Sequence, residues 1–197
     1  MKRVFLIGDS IRLGIDGRER GYGYHLEKYL GKEFIVYQPD DNCRFAQYTL
    51  RYVDEWAKTA NVGKEIDLVY WNNGLWDIIR QYGDEPLSAP NFYCEYLKRV
   101  KRRLDLIFPN AKIIFAYTTP VIEELANPSF FRKNTDVVLY NKLAKETLEP
   151  LGVVMHNIHS EALKILPEHH YDWVHYDETG ASMLAEIIAK FIQENIQ

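Results

Sequence analysis

The residues best suited to covalent chemistry lie near the two ends of the chain. Ser10 follows the apolar run "VFLI" at residues 4–7, and far downstream Asp172 and His175 lie three residues apart in "DWVH". A serine at the carboxyl end of a strand can project its hydroxyl above a sheet, where backbone N–H groups bind anions. An Asp beside a His fixes the tautomer that accepts the serine proton. These residues predict a nucleophilic serine site for acyl transfer.

The stretch around Ser10 also has a simpler interpretation. Gly8, Asp9 and Ser10 are common turn residues, and the stretch is not the GxSxG turn of the α/β-hydrolases, since position 12 is Arg. The order Ser, Asp, His and the position of the Asp-His pair just before a predicted final helix favour the chemical interpretation. Arg12 either pairs with a nearby acid or binds an anionic substrate, and the sequence leaves both open.

Apolar runs that position these residues alternate with amphipathic segments. The runs are nearly continuous in apolar residues, as strands buried on both faces must be. The pattern predicts strands at residues 3–7, 34–38, 67–72, 112–118 and 152–157, and helices at 22–31, 45–61, 91–108, 135–149 and 178–195. Such alternation is typical of βαβ units. It predicts an α/β fold with a doubly wound parallel sheet of about five strands.

Two segments interrupt this alternation, "QYGDEPLSAP" at 81–90 and "PVIEELANPSFFRKN" at 120–134. Each follows a predicted strand. In an open parallel sheet the ligand lies beyond the carboxyl ends of the strands. We therefore expect these two loops to form walls of a substrate site.

Length and charge limit the class of protein. A chain of 197 residues with 47% hydrophobic content and no stretch of linker composition is expected to form one domain over residues 1–197. Its 24 basic and 28 acidic side chains give a net charge of -4. This balance offers no basic field for a phosphate backbone, so no nucleic-acid partner is expected. The basic cluster at 98–103 fits the solvent-facing side of an amphipathic helix.

Cysteine content and hydropathy bear on the compartment. Cys43 and Cys94 are too few for a disulfide framework and lack zinc-site spacing. No apolar run reaches the ~20 residues that span a bilayer, and the run after the basic N-terminal residues is shorter than a signal-peptide core. We therefore expect a cytoplasmic protein with reduced thiols and no membrane partner. A homo-oligomer is compatible with the sequence.

Three stretches resemble sequence blocks of the SGNH hydrolases, also called GDSL-type lipases and esterases. They are "GDSI" at 8–11, "NNGLWD" at 72–77 and "DWVH" at 172–175, which together span nearly the whole chain. The resemblance implies a three-layer α/β/α sandwich around a five-stranded parallel sheet of flavodoxin-like type. It also implies Ser10 as nucleophile, His175 as general base and Asp172 as the carboxylate that orients it, with no metal or organic cofactor.

The oxyanion donors depart from the family's pattern. The family's Gly-x-Asn-Asp block places Trp76 where its donor Asn belongs, when the block is laid on residues 74–77. The indole N–H of Trp76 or the side-chain amide of Asn72 or Asn73 is then a candidate donor, and we favour Asn73. A missing donor costs on the order of 3 kcal/mol.

A second block of the family has a glycine whose backbone N–H donates to the oxyanion, and no glycine occurs near residues 42–47. A backbone N–H between Cys43 and Ala46 is expected to serve instead, with Asn42 orienting the loop. Asp9 and Gly74 complete the predicted oxyanion and substrate-binding set.

Other residues around these blocks have structural interpretations. His169 and His170 lie close to the Asp172 pair, but the spacing matches no zinc pattern, and no metal site is predicted. Asp77 and Asn141 are expected to be scaffolding. Tryptophans in or beside the blocks either pack in the core or line the cleft, where flat apolar faces suit sugar rings. They are Trp71, Trp76 and Trp173.

These observations predict a serine esterase that works through an acyl-enzyme intermediate. The expected substrate is a small-molecule carboxylic ester with a short acyl group, such as acetyl on a carbohydrate (an acetylated saccharide) or another polar alcohol. One alternative is a binding or regulatory protein on the same fold, catalytically impaired by the altered donors. Another is an acyl hydrolase of the lysophospholipase or thioesterase type. A nucleotide or flavin site lacks a supporting Gly-rich loop.

Overall fold

A five-stranded parallel sheet forms the centre of the computed structural model, which describes residues 1–15, 19–60, 62–63 and 65–196. The strands are β1 (Lys2–Ile7), β2 (Gly14–Ile15), β3 (Glu19–Arg20), β4 (Phe34–Tyr37), β5 (Leu68–Trp71), β6 (Arg80–Gln81), β7 (Lys112–Ala116), β8 (Phe130–Phe131) and β9 (Val154–His156). The central sheet has the order β4-β1-β5-β7-β9, with every neighbouring pair parallel. The predicted α/β fold and the number of strands in this sheet are confirmed.

Helices cover both faces of this sheet. They are α1 (Ser10–Leu13), α2 (Tyr22–Leu30), α3 (Ala46–Thr59), α4 (Pro90–Ile107), α5 (Asn134–Leu148), α6 (Ile158–Ala162) and α7 (Glu178–Asn195). Short 3-10 turns lie at Glu123–Leu125, Glu149–Leu151 and Pro167–His169. Helices α3, α4 and α5 pack on one face, and α2 and α7 on the other. The three-layer α/β/α sandwich is therefore confirmed.

Strand β1 shows why the predicted strands are continuously apolar. Phe5 and Ile7 are buried in the core layer beneath α3 and α4, whereas Val4 and Leu6 are buried in the opposite layer beneath α2 and α7. Side chains alternate between the faces of a strand, and both faces are covered here. Each fully buried aliphatic or aromatic side chain contributes about 1.5–3 kcal/mol.

The strand order creates a crevice at the carboxyl edge of the sheet. The chain moves outward in one direction from β1 to β4 and in the other direction from β5 to β9. Ligands of open parallel sheets bind where the order reverses in this way. Ser10 follows β1, and residues 72–77 follow β5. The topology therefore brings the first two sequence blocks to the same crevice.

Two antiparallel pairs and the short helices α1 and α6 are absent from the sequence prediction. In the second pair, Arg80 of β6 lies opposite Phe131 of β8, and Gln81 lies opposite Phe130. This pair joins the two loops predicted as substrate walls. Strands of two residues carry no periodicity, and their partners are remote in sequence, so the hydrophobic pattern does not reveal them.

Arg12 holds the turn beyond β1 from below. Its side chain is 1% exposed, with Nε donating to the Gly8 carbonyl at 3.2 Å. One terminal nitrogen donates to Gln38 Oε1 at 2.8 Å and the other to the Asp41 carbonyl at 2.6 Å. Neither sequence interpretation is correct: among the described residues no carboxylate pairs with this guanidinium, and a side chain so enclosed is not available to a substrate.

Asp77 and Asn141 tie neighbouring loops together. The buried Asp77 carboxylate accepts hydrogen bonds from the Ala46 N–H at 3.1 Å and from Ser88 Oγ at 2.8 Å. The Asn141 amide donates to the Thr118 carbonyl at 3.0 Å and accepts from the Thr118 N–H at 2.7 Å. Both residues therefore brace the segments that follow β5 and β7.

Asp77 should make stability depend on pH. Burial raises its pKa from 3.8 to about 7, so the folded state binds its proton more tightly than the unfolded chain does. The free energy of unfolding should therefore fall as pH rises from about 4 to about 7. Asp77→Asn lacks this titration. We expect the difference in unfolding free energy, wild type minus variant, to decrease over that range in urea titrations, and a constant difference would contradict this assignment.

Candidate active site

Ser10, His175 and Asp172 form a continuous chain of hydrogen bonds at the carboxyl edge of the sheet. Ser10 Oγ lies 2.7 Å from His175 Nε2, although the two residues are 165 positions apart. His175 Nδ1 lies 2.8 Å from Asp172 Oδ2. Such an arrangement places a base on the nucleophile and a carboxylate on the base.

The segment that carries Asp172 and His175 folds around its own carboxylate. Asp172 Oδ1 accepts from the N–H groups of Val174 and His175, each at 2.7 Å, and the Tyr171 N–H donates to the His175 carbonyl at 2.8 Å. A spacing of three residues is what allows one carboxyl group to bond both the backbone and the imidazole. The loop is thus preorganised before any ligand binds.

Asp172 is ionised at neutral pH. Its partial burial alone would raise its pKa, but hydrogen bonds from the His175 side chain and from the His175 and Val174 N–H groups outweigh that effect. The net result is a pKa below the ordinary value. An ionised carboxylate at this position stabilises an imidazolium on the ring beside it.

Asp9 caps the turn that presents Ser10. Its Oδ1 accepts the Ile11 N–H at 3.0 Å, and the residue is 1% exposed. Burial raises the pKa of Asp9. The Ser10 N–H, at the first position of α1, has no acceptor within the described chain. The prediction that Asp9 belongs to the oxyanion and substrate-binding residues is therefore wrong. Asp9 lies beneath the turn and positions Ser10 and its N–H.

The loop before α3 supplies fewer free N–H groups than expected. The Cys43 N–H donates to the Gly8 carbonyl at 3.2 Å, so the expectation that it serves the oxyanion is wrong. Asn42 Oδ1 accepts the Arg44 N–H at 3.0 Å and orients the loop as expected. Only the Phe45 N–H of residues 43–46 lacks an acceptor in the described part of the chain.

Arg44 occupies a conformation that usually requires glycine. Its φ is +42°, a left-handed value that few residues other than glycine adopt. The loop therefore has the backbone shape of a glycine turn without the glycine expected from the family's block. The neighbouring Cys43 thiol is buried, and burial raises its pKa to about 11, so it is no nucleophile.

Asn73 is not the oxyanion donor that the sequence favours. It is 0% exposed, and its Nδ2 donates to the Arg44 carbonyl at 2.8 Å and to Thr49 Oγ1 at 3.0 Å. Its Oδ1 accepts from Trp71 Nε1 at 2.6 Å. Both ends of the amide are thus occupied on the α3 side of the sheet. The amide of Asn72 is also engaged, donating to the Ala116 carbonyl at 2.9 Å.

Gly74 allows the loop after β5 to approach β7. A Cβ at this position would lie 2.0 Å from Thr118 Oγ1, so any larger residue would displace one of the two segments. Gly74 is buried and shapes the loop instead of contacting a ligand. Two positions later Trp76 is partly buried.

Arg132 is a residue of the site that sequence reasoning missed. It is 5% exposed, and its Nε donates to the Leu75 carbonyl. Its guanidinium carbon lies 5.8 Å from the ring centre of Trp76 and 5.3 Å from that of Trp173. It lies in the segment 120–134 that is predicted to form a substrate wall. A single arginine in a loop belongs to no motif, so the sequence alone does not identify it as a site residue.

The tryptophans divide between core and cleft. Trp71 is fully buried and packs edge-on against Phe115 at 4.9 Å between ring centres. Trp76 and Trp173 are partly buried and contact the Arg132 guanidinium. The core interpretation therefore holds for Trp71, and the cleft interpretation of Trp76 and Trp173 stays a prediction.

The histidines near Asp172 have ordinary partners. His169 Nδ1 lies 3.6 Å from Asp177 Oδ2, and the His170 ring packs on Tyr176 at 4.3 Å between ring centres. Across the described residues, no group of three His, Cys, Asp or Glu side chains is arranged to hold a metal ion. Within the same part of the chain, no helix has the length and apolar character needed to cross a membrane.

A shallow recess of about 10 Å³ lies beside Ser10 and His175. Apolar groups from α1, β2, α7 and Tyr176 contribute to its wall. These groups belong to Ile11 of α1, Gly14 and Ile15 of β2 and Ala181 of α7, and Gly21 completes the lining. With a nucleophile, a base and an unbonded N–H at one edge, the site has the parts that acyl transfer needs.

No protein-family model and no curated protein matches the sequence. Solved structures do match its fold. A carbohydrate acetylesterase from Sinorhizobium meliloti has a TM-score of 0.73 at 12% identity, with 100% of both chains covered. A lipase/acylhydrolase from Enterococcus faecalis has a TM-score of 0.74 at 16% identity, covering 100% of this chain and 98% of that one.

An inhibitor-bound aryl esterase of M. smegmatis also matches, with a TM-score of 0.74 at 15% identity, covering 98% of this chain and 99% of that one. These likenesses cover 98–100% of both chains in each case. The chain has the fold of the SGNH, or GDSL-type, esterases and acylhydrolases.

Proposed function

We propose that the protein is a serine hydrolase of carboxylic esters, with Ser10 as nucleophile, His175 as general base and Asp172 as the orienting carboxylate. The observation that carries this proposal is the pair of contacts on His175, 2.7 Å to Ser10 Oγ and 2.8 Å to Asp172 Oδ2. Both are within the reach that proton transfer requires. The shared fold with esterases supports the same reaction class.

The reaction has two steps. The Ser10 oxygen adds to the ester carbonyl carbon while its proton passes to His175 Nε2, and the carbonyl oxygen becomes an oxyanion. Collapse of this intermediate breaks the bond to the alcohol, which leaves with the proton from His175. Water then repeats the sequence on the acyl-enzyme and releases the acid. The Ser10 N–H is one donor to the oxyanion, and the loop that contains Phe45 lies beside it through the Cys43–Gly8 hydrogen bond.

A short acyl group on a polar alcohol is the substrate that fits best. The recess beside Ser10 is shallow, at about 10 Å³, and offers no enclosed channel for a long acyl chain. Trp76 and Trp173 are partly exposed and contact the Arg132 guanidinium, and flat aromatic faces of this kind suit a sugar ring. A carbohydrate acetylesterase among proteins of the same fold is in line with this choice. Cytoplasmic location and a single domain over residues 1–197 stay predictions.

A serine-directed reagent tests the reaction class. We expect a fluorophosphonate to label the wild-type protein at Ser10 and to leave Ser10→Ala unlabelled, by intact-mass and peptide mass spectrometry. Asp172→Asn should fold normally and lose about 10³–10⁴-fold in turnover, because the imidazole is held in the wrong tautomer. Failure of folded wild type to label would support a catalytically impaired binding protein instead. Full turnover in Asp172→Asn would remove this carboxylate from the mechanism.

A panel of esters tests the substrate class. We expect p-nitrophenyl acetate to be hydrolysed with a higher kcat/KM than butyrate, octanoate or palmitate esters, because the recess beside Ser10 is small. Release of acetate from acetylated saccharides should follow the same Ser10 dependence. A preference for the long chains would contradict the proposed substrate and favour a lysophospholipase or thioesterase type of activity.

A further inference from the structure

The oxyanion requires a side-chain donor that the candidate amides do not provide. Asn73 is fully bonded within the core, and Asn72 donates to the Ala116 carbonyl. At the place where the resemblance expects an asparagine, the chain has Trp76. A donor aimed at developing negative charge is worth about 2.7–4 kcal/mol in comparable sites. The loop after β5 therefore supplies no side-chain donor for the oxyanion of the proposed mechanism.

Arg132 lies beside the loop that lacks this donor. It follows β8 directly, and its Nε donates to the Leu75 carbonyl, next to Trp76 in the loop after β5. The guanidinium also contacts the ring of Trp173, which stands between Asp172 and His175 in sequence. The side chain thus spans from the loop that lacks the donor to the loop that carries the base.

The Arg132 guanidinium has few polar partners among the described residues. The residue is 5% exposed, and within the described chain its terminal nitrogens have no hydrogen-bond partner and it forms no ion pair. Burying a cation without a paired anion is costly, and aromatic contacts offset only part of that cost. Arg12, by comparison, is 1% exposed and donates from all three of its nitrogens. The terminal nitrogens of Arg132 are absent from the buried atoms that lack a partner, so they reach the protein surface and are available to a ligand.

The charge of Arg132 interacts with two carboxylates that contact the catalytic residues. Burial lowers the pKa of Arg132 to about 10, and the charges of Asp9 and Asp172 oppose that fall. One of these carboxylates caps the Ser10 turn and the other bonds His175. The guanidinium therefore lies within electrostatic range of both sides of the catalytic chain, and it stays charged at neutral pH.

We propose that a terminal N–H of Arg132 donates to the ester carbonyl oxygen as that oxygen becomes an oxyanion, replacing the amide absent at Trp76. The inference rests on the proposed ester hydrolysis. When Ser10 Oγ bonds to the carbonyl carbon, the electron pair of the C=O bond moves onto oxygen, and Arg132 and the Ser10 N–H stabilise it. No proton leaves Arg132. Collapse restores the C=O bond and expels the alcohol, so the donor acts again in deacylation.

Kinetics of Arg132→Gln test this proposal on a neutral ester. With p-nitrophenyl acetate we expect kcat to fall by ~10²–10³-fold with KM little changed, since the contact forms only in the transition state. The inhibition constant of an aryl trifluoromethyl ketone, which forms a hemiketal oxyanion on Ser10, should rise by a similar factor. A purely structural role of Arg132 would not link these two quantities.

Two further variants separate this role from folding. Arg3→Gln is the control, because Arg3 lies near the amino end of β1, away from Ser10, and bonds Glu65 at 2.7 Å. It should leave kcat within about twofold. Arg132→Lys keeps the buried charge but not the planar fork, so it should fold, retain part of kcat and show the same link to ketone inhibition. If Arg132→Gln does not fold, the kcat and ketone inhibition of Arg132→Lys test the proposal instead.

Several outcomes would overturn the proposal. They are an unchanged kcat in folded Arg132→Gln, a loss confined to anionic esters such as p-nitrophenyl hemisuccinate, and a rise in KM alone. A loss in Trp76→Phe as large as that in Arg132→Gln would assign the donor to the indole. These results differ from failure of the proposed function, which would appear as undiminished turnover in Ser10→Ala.

Discussion

The 2.7 Å contact between Ser10 Oγ and His175 Nε2 requires the rest of the structure to hold these two side chains in fixed positions. The two residues belong to the first and last parts of the chain, and a displacement of 1 Å would break their hydrogen bond. The sheet brings them to one edge, with β1 ending before Ser10 and α7 beginning just after His175. The apolar layers on both faces of β1 fix that edge in place.

Buried polar side chains fix the positions of the loops around the site. Arg12 holds the Ser10 turn against residues 38–41, Asp77 joins the loop after β5 to the start of α3, and Asn73 bonds the loop that precedes that helix. Satisfied polar groups of this kind specify one arrangement of loops that apolar packing alone leaves loose. Arg132 differs from them in keeping its terminal nitrogens unbonded within the described chain, which is why it is assigned to the reaction.

Sequence reasoning was strongest where the signal is periodic or local. The five central strands follow from apolar runs, and the Asp172–His175 turn follows from a spacing that one carboxylate can bridge. The choice of Asn73 as donor was wrong, because adjacent residues after a strand point to opposite sides, and Asn73 points toward α3. Arg132 was missed, because its place in the site depends on the β6–β8 pairing of two loops remote in sequence.

Identification of the residue that carries the acyl group tests the central claim most directly. Wild-type protein would be mixed with p-nitrophenyl acetate, quenched in acid within one turnover and digested for peptide mass spectrometry. The activated leaving group makes formation of the acyl-enzyme fast, so we predict an acetyl ester on Ser10 that disappears as acetate is released. Acetyl on a different side chain, or consumption of the ester with no acetyl on the protein, would contradict Ser10 as the nucleophile.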